Sequence, residues 1–185
     1  FQLRGADSEG DEELVRSLGD RYQVEVRVKK ADTVAYAATL NESIQVAARK
    51  FRYDWFGQLL TGEGFRWLLT AHHADDNMET MLMNFFRGTG IRGLRGILPV
   101  HGRIVRPLLP FRKDELVVFA KKKGLVWRED ISNQSDKYSR NYFRNIVIPL
   151  VKNKFPEAEN NLVANLNRFR DIETLYWQSI ERHKK

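Results

Sequence analysis

Five side chains that can exchange protons or hold cations lie close together near the middle of the chain. The stretch TAHHADDNMET contains His72, His73, Asp75, Asp76 and Glu79. Carboxylates are common in the first turn of a helix, because the helix dipole and the free backbone N–H groups favour them. Capping does not require the two histidines or Glu79. The cluster therefore favours a site that holds a cation, a metal ion or a substrate amine.

The two adjacent histidines are poor joint ligands for one metal ion. Successive residues of a strand point to opposite faces, so His72 and His73 do not easily meet at one ion. A His-Asp pair at a strand end does occur in metal phosphohydrolases, and that class stays open as an alternative. A hard ion such as Mg²⁺, held by one or two carboxylates and by phosphate oxygens, is easier to accommodate, with Asp76 as its ligand.

A run of glycines and arginines, RGTGIRGLRG, follows the cluster. GTGIRG has the spacing G-x-G-x-x-G, but a dinucleotide fingerprint follows a strand and opens a helix, whereas this one follows a predicted helix. We interpret it as a flexible loop whose glycines permit positive φ and close backbone approach. Arg87, Arg92 and Arg95 could bind phosphates there; the alternative is a helix C-cap with an ordinary loop.

Three further arginines are candidates for binding an anion. Arg106 lies in the apolar segment IVRPLL, where a guanidinium is either paired or directed at a ligand. Arg140 and Arg144 have the spacing i, i+4 of one helix face, and their planar forks suit phosphates. Salt bridges from this pair to Glu129 and Asp130 are the alternative.

Strands and helices alternate along the chain, which predicts parallel βαβ units and an α/β fold. The predicted strands are FQLRG, Tyr22–Val28, Phe65–Ala71 and Gly102–Pro110. Phe65–Ala71 is a continuous apolar run, as expected of a strand buried on both faces. Because such sheets bind ligands at the carboxyl ends of their strands, the cluster after Ala71 lies where a site is expected.

Helices are predicted from apolar periodicity and from capping residues. A helix from Ala74 to Arg87 places one apolar stripe toward the core, formed by Met78, Met81, Leu82, Phe85 and Phe86. The remaining helices are an acidic one near Ser8, one capped by Ser43 and ended by Gly62 and Gly64, one ending at Gly124, one kinked at Pro149, and a long one with Pro156 in its first turn.

Composition narrows the function classes. The 185 residues suffice for one domain, and 42% hydrophobic with 30% charged residues is typical of a globular protein. The net charge of +7 is uneven, because residues 101–185 hold 18 Lys and Arg against 10 Asp and Glu. This half suggests a polyanion such as nucleic acid, with a solvated basic surface as the alternative.

Two features that the sequence lacks exclude further classes of site and of protein. The chain has no cysteine, so disulfides, cysteine zinc sites and thiol catalysis are excluded for these residues. No apolar run approaches the roughly 20 residues of a membrane span, and no signal-peptide pattern begins the sequence. A cytoplasmic protein without a membrane partner is expected.

Several segments occur in the same order and at similar spacing in tRNA(Ile)-lysidine synthetases. They are SIQVAARKFRYDWF, TAHHADDNMETMLMNFFRGTGIRGLRGI, RPLLPFRKDEL and WREDISNQSDKYSRNYFRNIVIPL, with LRG near the start. The element H-x-A-D-D-N-x-E-T followed by R-G-T-G-I-x-G-L is highly specific. On these residues the chain resembles that family of the PP-loop ATP pyrophosphatase superfamily over about residues 1–150.

The resemblance implies a fold and a reaction. The expected fold is a parallel-sheet, Rossmann-like sandwich of the adenine nucleotide α-hydrolase type over residues 1–150, with a helical connector over residues 151–185 toward a missing C-terminal domain. The expected enzyme uses ATP and Mg²⁺ to adenylate C2 of the wobble cytidine in an isoleucine tRNA with the CAU anticodon. Free L-lysine then displaces AMP and gives lysidine. The resemblance also allows a homodimer.

The resemblance further implies residue roles. Asp76 and Glu79 would hold the lysine or a metal ion. His72, with His73 as the alternative, would take the proton from the attacking amine, and Arg87 would stabilise charge on the phosphates. The residues expected to bind substrates are Asp75, Asn77, Arg106, Asp130, Asn133, Arg140, Asn141 and Arg144.

One family signature does not occur in these residues. The nucleotide-binding loop S-G-G-x-D-S is expected upstream of FQLRG and is absent from the sequence. Adenylate formation by these residues alone is therefore not expected. A non-catalytic tRNA-binding fragment is one alternative. Another PP-loop tRNA-modifying enzyme, such as a tRNA thiolase, is the second, although thiolases commonly rely on cysteines.

Overall fold

The computed structural model describes residues 6–129 and 139–184. The chain forms two compact units, Phe1–Leu68 and Leu69–Lys185. The predicted strand FQLRG and the candidate site residues Asp130 and Asn133 lie outside the described residues. In the described part of the chain, no helix is both long and apolar enough to cross a membrane.

The described part of the first unit is mainly helical. Asp32 accepts a hydrogen bond from the Ala35 N–H (2.9 Å) and caps the second helix, and Ser43 accepts from the Val46 N–H (3.3 Å) and caps the third. The cap predicted at Ser43 is confirmed. The helices are α1 (Ala6–Tyr22), α2 (Thr33–Leu40) and α3 (Ile44–Gly62).

The strand predicted over Tyr22–Val28 is wrong. Tyr22 ends α1, and residues 24–30 form no regular element, with Val24 and Val28 exposed. The Val24 N–H instead donates to the Gly19 carbonyl at the end of α1 (2.9 Å). Alternating polarity shows which side chains share a face, but a strand also needs a hydrogen-bonded neighbour, which the pattern cannot identify.

The sheet within the described residues is small. Its strands are β1 (Leu68–Leu69), β2 (Val100–His101) and β3 (Ile104–Val105), in the order β1-β3-β2. β2 and β3 pair antiparallel, with Val100 opposite Val105. Only two residues connect them, and parallel strands need a long crossover, so the predicted parallel pairing does not extend to this hairpin. Pro107, which lacks an N–H, follows β3 closely and limits its length.

Most helices of the second unit agree with the predicted ones, but a short helix, Ile91–Leu94, forms inside RGTGIRGLRG, which was interpreted as a flexible loop. α4 occupies Ala74–Arg87, the predicted bounds, and Gly124 follows the end of α6 with φ +62°. Pro156 lies in the turn before α9 and not in its first turn. The helices are α4 (Ala74–Arg87), α5 (Ile91–Leu94), α6 (Lys113–Lys122), α7 (Ser139–Tyr142), α8 (Ile148–Lys154) and α9 (Ala158–His183).

A π-helical turn, Phe143–Val147, joins α7 to α8 at the place where a kink was predicted. The Ile148 N–H donates to the Phe143 carbonyl, five residues earlier. Pro149 follows and has no N–H to continue the ordinary helical ladder, which accounts for the local change in winding. The turn lies beside α4 and carries Arg144, so its geometry bears on the site.

The core of the second unit lies between α4 and α9. Met78, Met81 and Leu166 are buried, and the residues packed against them are Leu82, Leu162, Val163 and Phe169. The apolar stripe predicted on α4 is therefore correct for its first turns. It is wrong for Phe85 and Phe86, which are 61% and 67% exposed. The described side chains of α9 cover α4 as far as Leu82 but not its last turn.

Replacing Leu166 by Ala is expected to lower the free energy of unfolding by about 2 to 5 kcal/mol, because it leaves a cavity against Met78 and Met81. Leu175→Ala is the matched control on the same helix, since Leu175 is 64% exposed. The control should change stability by less than about 0.5 kcal/mol. Urea unfolding followed by circular dichroism measures both. Equal effects of the two substitutions would contradict the described packing of α9.

Candidate active site at the start of the fourth helix

Asp76 lies in the first turn of α4 and has two sets of partners. Its Oδ2 accepts a hydrogen bond from the His73 N–H (3.0 Å), which satisfies one of the backbone donors at the helix start. Its Oδ1 lies 3.4 Å from Arg144 Nη2 and 3.8 Å from Arg140 Nη2. Asp76 therefore caps α4 with its Oδ2 and lies close to two guanidinium groups with its Oδ1.

Glu79, one turn further along α4, is fully buried. Its Oε2 accepts from Arg140 Nε (2.8 Å) and Arg144 Nη2 (3.0 Å), and its Oε1 accepts from Arg144 Nε (2.6 Å). A carboxylate removed from water needs such partners, because an unpaired buried charge is very costly. Both oxygens of Glu79 are thus engaged, and the three side chains form one unit.

The pKa of the Arg144 guanidinium reflects this unit. Burial lowers the pKa of Arg144. The hydrogen bonds to Glu79 and the negative charges of Glu79, Asp76 and Asp75 raise the pKa by more than burial lowers it, so the net shift is upward. Arg144 is therefore a permanent cation. The side chains of Arg140 and Arg144 are 38% and 25% exposed, so part of each remains accessible to an anion from solvent.

The i, i+4 spacing correctly predicted that Arg140 and Arg144 share a face. Among the described residues their carboxylate partners are Asp76 and Glu79, more than sixty positions earlier in the chain. The predicted alternative was a pairing with the nearby Glu129 and Asp130. The sequence offered no signal for the distant pairing, because it arises where α7 and the π-helical turn pack beside α4.

Asp75 binds the start of α6. Its Oδ1 accepts from Arg112 Nε (3.1 Å) and its Oδ2 from the Lys113 N–H (2.8 Å). His73 Nδ1 lies 3.3 Å from the same Oδ2. Burial raises the pKa of the Asp75 carboxyl, but the bonds from His73, Lys113 and Arg112 outweigh it and hold the pKa well below its ordinary range.

Arg112 is a site residue that the sequence reasoning missed. Its Nη2 lies 3.0 Å from Asp75 Oδ1 and 3.0 Å from Glu159 Oε1, and Glu159 also pairs with Lys152 Nζ (2.6 Å). This chain of charges joins the first turns of α4, α6 and α9. The available signal was its position in RPLLPFRKDEL, directly before an acidic helix start, which marks Arg112 as a residue at a helix N-terminus.

Asn77 connects α4 to the end of the glycine loop. Its Oδ1 accepts from the Ile97 N–H (2.6 Å), and the side chain is buried. Gly96 has φ +65°, and a Cβ there would collide with Asn77 and Leu166. The glycine is thus required by conformation and by close approach. The contacts of Asn77 are structural, and its substrate-binding role stays a prediction.

The other predicted site residues are more dispersed. Arg87 is exposed at the last turn of α4, and His72 Nδ1 lies 2.9 Å from Thr70 Oγ1. Arg106 is buried and its Nη1 donates to the Leu98 carbonyl (2.7 Å), so it is held by backbone. Asn141 is buried in α7. Their roles toward substrates stay predictions.

Asp75, Asp76 and Glu79 balance the three guanidinium groups of Arg112, Arg140 and Arg144. The carboxylates accept from N–H donors and do not converge on a common point. Within residues 6–129 and 139–184, no group of three or more His, Asp or Glu side chains could hold a metal ion. Mg²⁺ held by Asp76 together with phosphate oxygens needs no such group and stays a prediction. The arrangement places two arginines beside Asp76.

The chain was compared with known families and proteins. A family model described as a PP-loop domain matches residues 2–151. The chain is 42% identical to the tRNA(Ile)-lysidine synthase of Chlorobaculum tepidum over 168 residues, 91% of this chain and 50% of that protein. The protein of the same name from Bacteroides thetaiotaomicron is 39% identical over 184 residues, 100% of this chain and 43% of that protein. The chain thus spans about half the length of these curated relatives, or less.

One solved structure with a similar fold is the U34-tRNA thiolase NcsA of Methanococcus maripaludis with its 4Fe-4S cluster. The TM-score is 0.67 at 17% sequence identity, and the match covers 90% of this chain and 57% of that one. At this identity the likeness shows the fold alone. Together with the family match, it confirms the α/β PP-loop fold class predicted from the motifs.

Acid is expected to destabilise the second unit through Asp75. Because its folded-state pKa is lowered, the carboxylate contributes stability above its ordinary pKa of about 4, and the contribution is lost as pH falls below that value. Asp75→Asn should therefore unfold at lower urea than the unsubstituted protein at neutral pH. It should also lose less stability between about pH 5 and pH 2.5. The exposed Asp171→Asn serves as control. A pH dependence unchanged by Asp75→Asn would contradict this account.

Proposed function

We propose that this chain, which belongs to the PP-loop domain family, is the catalytic part of a tRNA(Ile)-lysidine synthase. The reaction joins lysine to C2 of the wobble cytidine in an isoleucine tRNA with the CAU anticodon, through an adenylated tRNA intermediate made with ATP. The observation that carries the proposal is the unit of buried Glu79, Arg140 and Arg144 beside Asp76, which joins two of the segments by which the chain resembles that family.

We assign Glu79 a positioning role, which revises the expectation that it binds lysine. Both of its oxygens are engaged by guanidinium groups, so it fixes the direction of Arg140 and Arg144. The accessible parts of these arginines would bind phosphate oxygens of the tRNA or the nucleotide. Donors held in advance stabilise developing charge without a reorganisation cost at the moment of reaction.

Asp76 and His72 are assigned to the lysine nucleophile. The Asp76 carboxylate would meet the ε-ammonium group, because it is the carboxylate of this unit with only partial engagement by arginine (3.4 Å to Arg144). The amine attacks C2 only in its neutral form, so a base must take a proton. We assign this to His72, since imidazole is the side chain whose ordinary pKa lies nearest neutrality.

ATP is a substrate in this proposal and supplies the adenylyl group. Arg87 and the glycine loop would contact its phosphates. Mg²⁺ is assigned to those phosphates, because Asp76 is assigned to the ε-ammonium group of lysine. The proposal includes free L-lysine as nucleophile and a cytoplasmic location. It also includes a homodimeric assembly, on the family resemblance alone.

The test places this chain in the context of a longer relative. The chain replaces the matching segment of the Chlorobaculum tepidum protein, and AMP release is measured with ATP, lysine and the isoleucine tRNA transcript. We expect release that requires both lysine and tRNA. Asp76→Ala should lower kcat/KM for lysine about 100-fold, as loss of a charged substrate contact does.

The control is Asp171→Asn, an exposed carboxylate of α9, which should leave the rate unchanged. AMP release without a need for lysine, or an Asp76→Ala variant with normal lysine incorporation, would contradict the assignment. Binding of tRNA with no AMP release would instead identify a non-catalytic tRNA-binding protein.

A further inference from the structure

The buried carboxylate Glu173 of α9 holds the arginines of the glycine loop. Glu173 is only 5% exposed. Its Oε2 accepts from Arg95 Nη1 (2.5 Å), and its Oε1 lies 3.6 Å from Arg92 Nε. Trp177 Nε1 donates to the same Oε1 (3.3 Å), and the Arg92 guanidinium lies over the Trp177 ring at 4.5 Å from its centre. The charges of Arg92 and Arg95 are thus directed at α9, which differs from the predicted phosphate contacts.

Arg170, one turn before Glu173 on α9, holds the backbone of the same segment. Its Nη2 donates to the Ile97 carbonyl (2.8 Å) and its Nε to the Arg95 carbonyl (3.3 Å). Burial and the charge of Arg95 lower the pKa of Arg170, yet a guanidinium stays charged at neutral pH. Charged donors make stronger hydrogen bonds to carbonyls than neutral ones do. Arg170 therefore fixes the carbonyls at the end of the loop.

The loop is held by α4 as well as by α9. Asn84 Nδ2 donates to the Gly93 carbonyl (3.0 Å), and Asn77 accepts from the Ile97 N–H. The short helix α5 orders only the middle of this segment, and its four glycines in ten residues leave the rest dependent on such contacts. Residues 88–97 are thus fixed from two helices, and the charged contacts come from α9.

We propose that Glu173 and Arg170 are positioning residues for the glycine loop, so that α9 belongs to the catalytic unit and is more than a connector. The inference rests on the proposed function, in which Arg87 and this loop contact the phosphates of ATP. A fixed loop holds those contacts in place during adenylyl transfer, and small displacements of catalytic groups cost large factors in rate. Glu173 pairs with Arg95 and lies near Arg92. We therefore assign the phosphate contact to Arg87, the exposed last residue of α4 directly before the loop.

The first test measures loop motion in the full chain by amide hydrogen exchange. Glu173→Gln keeps the shape of the side chain and removes its charge. It should speed exchange across residues 88–97 about tenfold or more, while the middle of α4 changes less than about twofold. Glu181→Gln is the matched control on the same helix, since that side chain is 68% exposed. Unchanged exchange in the loop would overturn the inference.

The second test measures adenylation separately from lysine transfer. In the Chlorobaculum tepidum hybrid, tRNA-dependent pyrophosphate exchange without lysine should fall about 10- to 100-fold in Glu173→Gln. The KM for lysine should stay within about twofold, a split that general destabilisation would not produce. Arg170→Lys keeps the charge and loses the fork, so an intermediate rate is expected. It also serves as the test variant if Glu173→Gln does not fold.

The outcomes separate the two proposals. If the unsubstituted hybrid neither exchanges pyrophosphate nor releases AMP, the proposed function fails, and the hydrogen-exchange result still decides whether α9 fixes the loop. If the unsubstituted hybrid is active but neither variant changes pyrophosphate exchange, the proposed function stands and the positioning role is wrong.

Discussion

The buried carboxylate of Glu79 is the constraint on which the candidate site depends. A carboxylate without water must be compensated by charge and by hydrogen bonds, and Arg140 and Arg144 supply both. To reach Glu79, the two arginines must lie on one face beside α4, which requires α7 and the π-helical turn to pack there. The same contacts bring two cations next to Asp76. A single desolvated charge thus determines which side chains meet at the start of α4.

Two other acidic residues organise the unit in the same way. Asp75 binds Arg112, which also pairs with Glu159, and Glu173 binds Arg95. These contacts join α4, α6, α9 and the glycine loop around the apolar contacts of Leu166. These contacts also bear on the net charge. Part of the basic excess of residues 101–185 pairs with acidic side chains inside the protein. That excess is therefore a weaker indication of a polyanion partner than the residue counts suggest.

The sequence predicted where the candidate site residues lie in the helices better than it predicted what their side chains contact. The stretch from His72 to Arg87 was correctly placed at a helix start, but its residues were expected to bind ligands directly. Glu79 and Asn77 instead have their side-chain oxygens engaged within the protein. Arg106 is bonded to a backbone carbonyl, and Arg112 was overlooked. The side chains that bind ligands and the side chains that hold them have the same chemical types, so a motif alone does not separate the two.

The sequence by itself determined the local elements and the family. Helix bounds at Ala74–Arg87, the cap at Ser43 and the glycine after α6 follow from interactions within a few residues, and the motif order identified the PP-loop class. Only the tertiary structure decided the partners of the charged groups, the burial of Glu79 and Glu173, and the exposure of Phe85 and Phe86. It also decided which segments with strand-like patterns pair in a sheet. The physical reason is the distance along the chain between interacting groups. The backbone donors and acceptors of caps and turns find their partners within a few residues. The compensation of a buried charge or the pairing of a strand depends on residues that folding alone brings near.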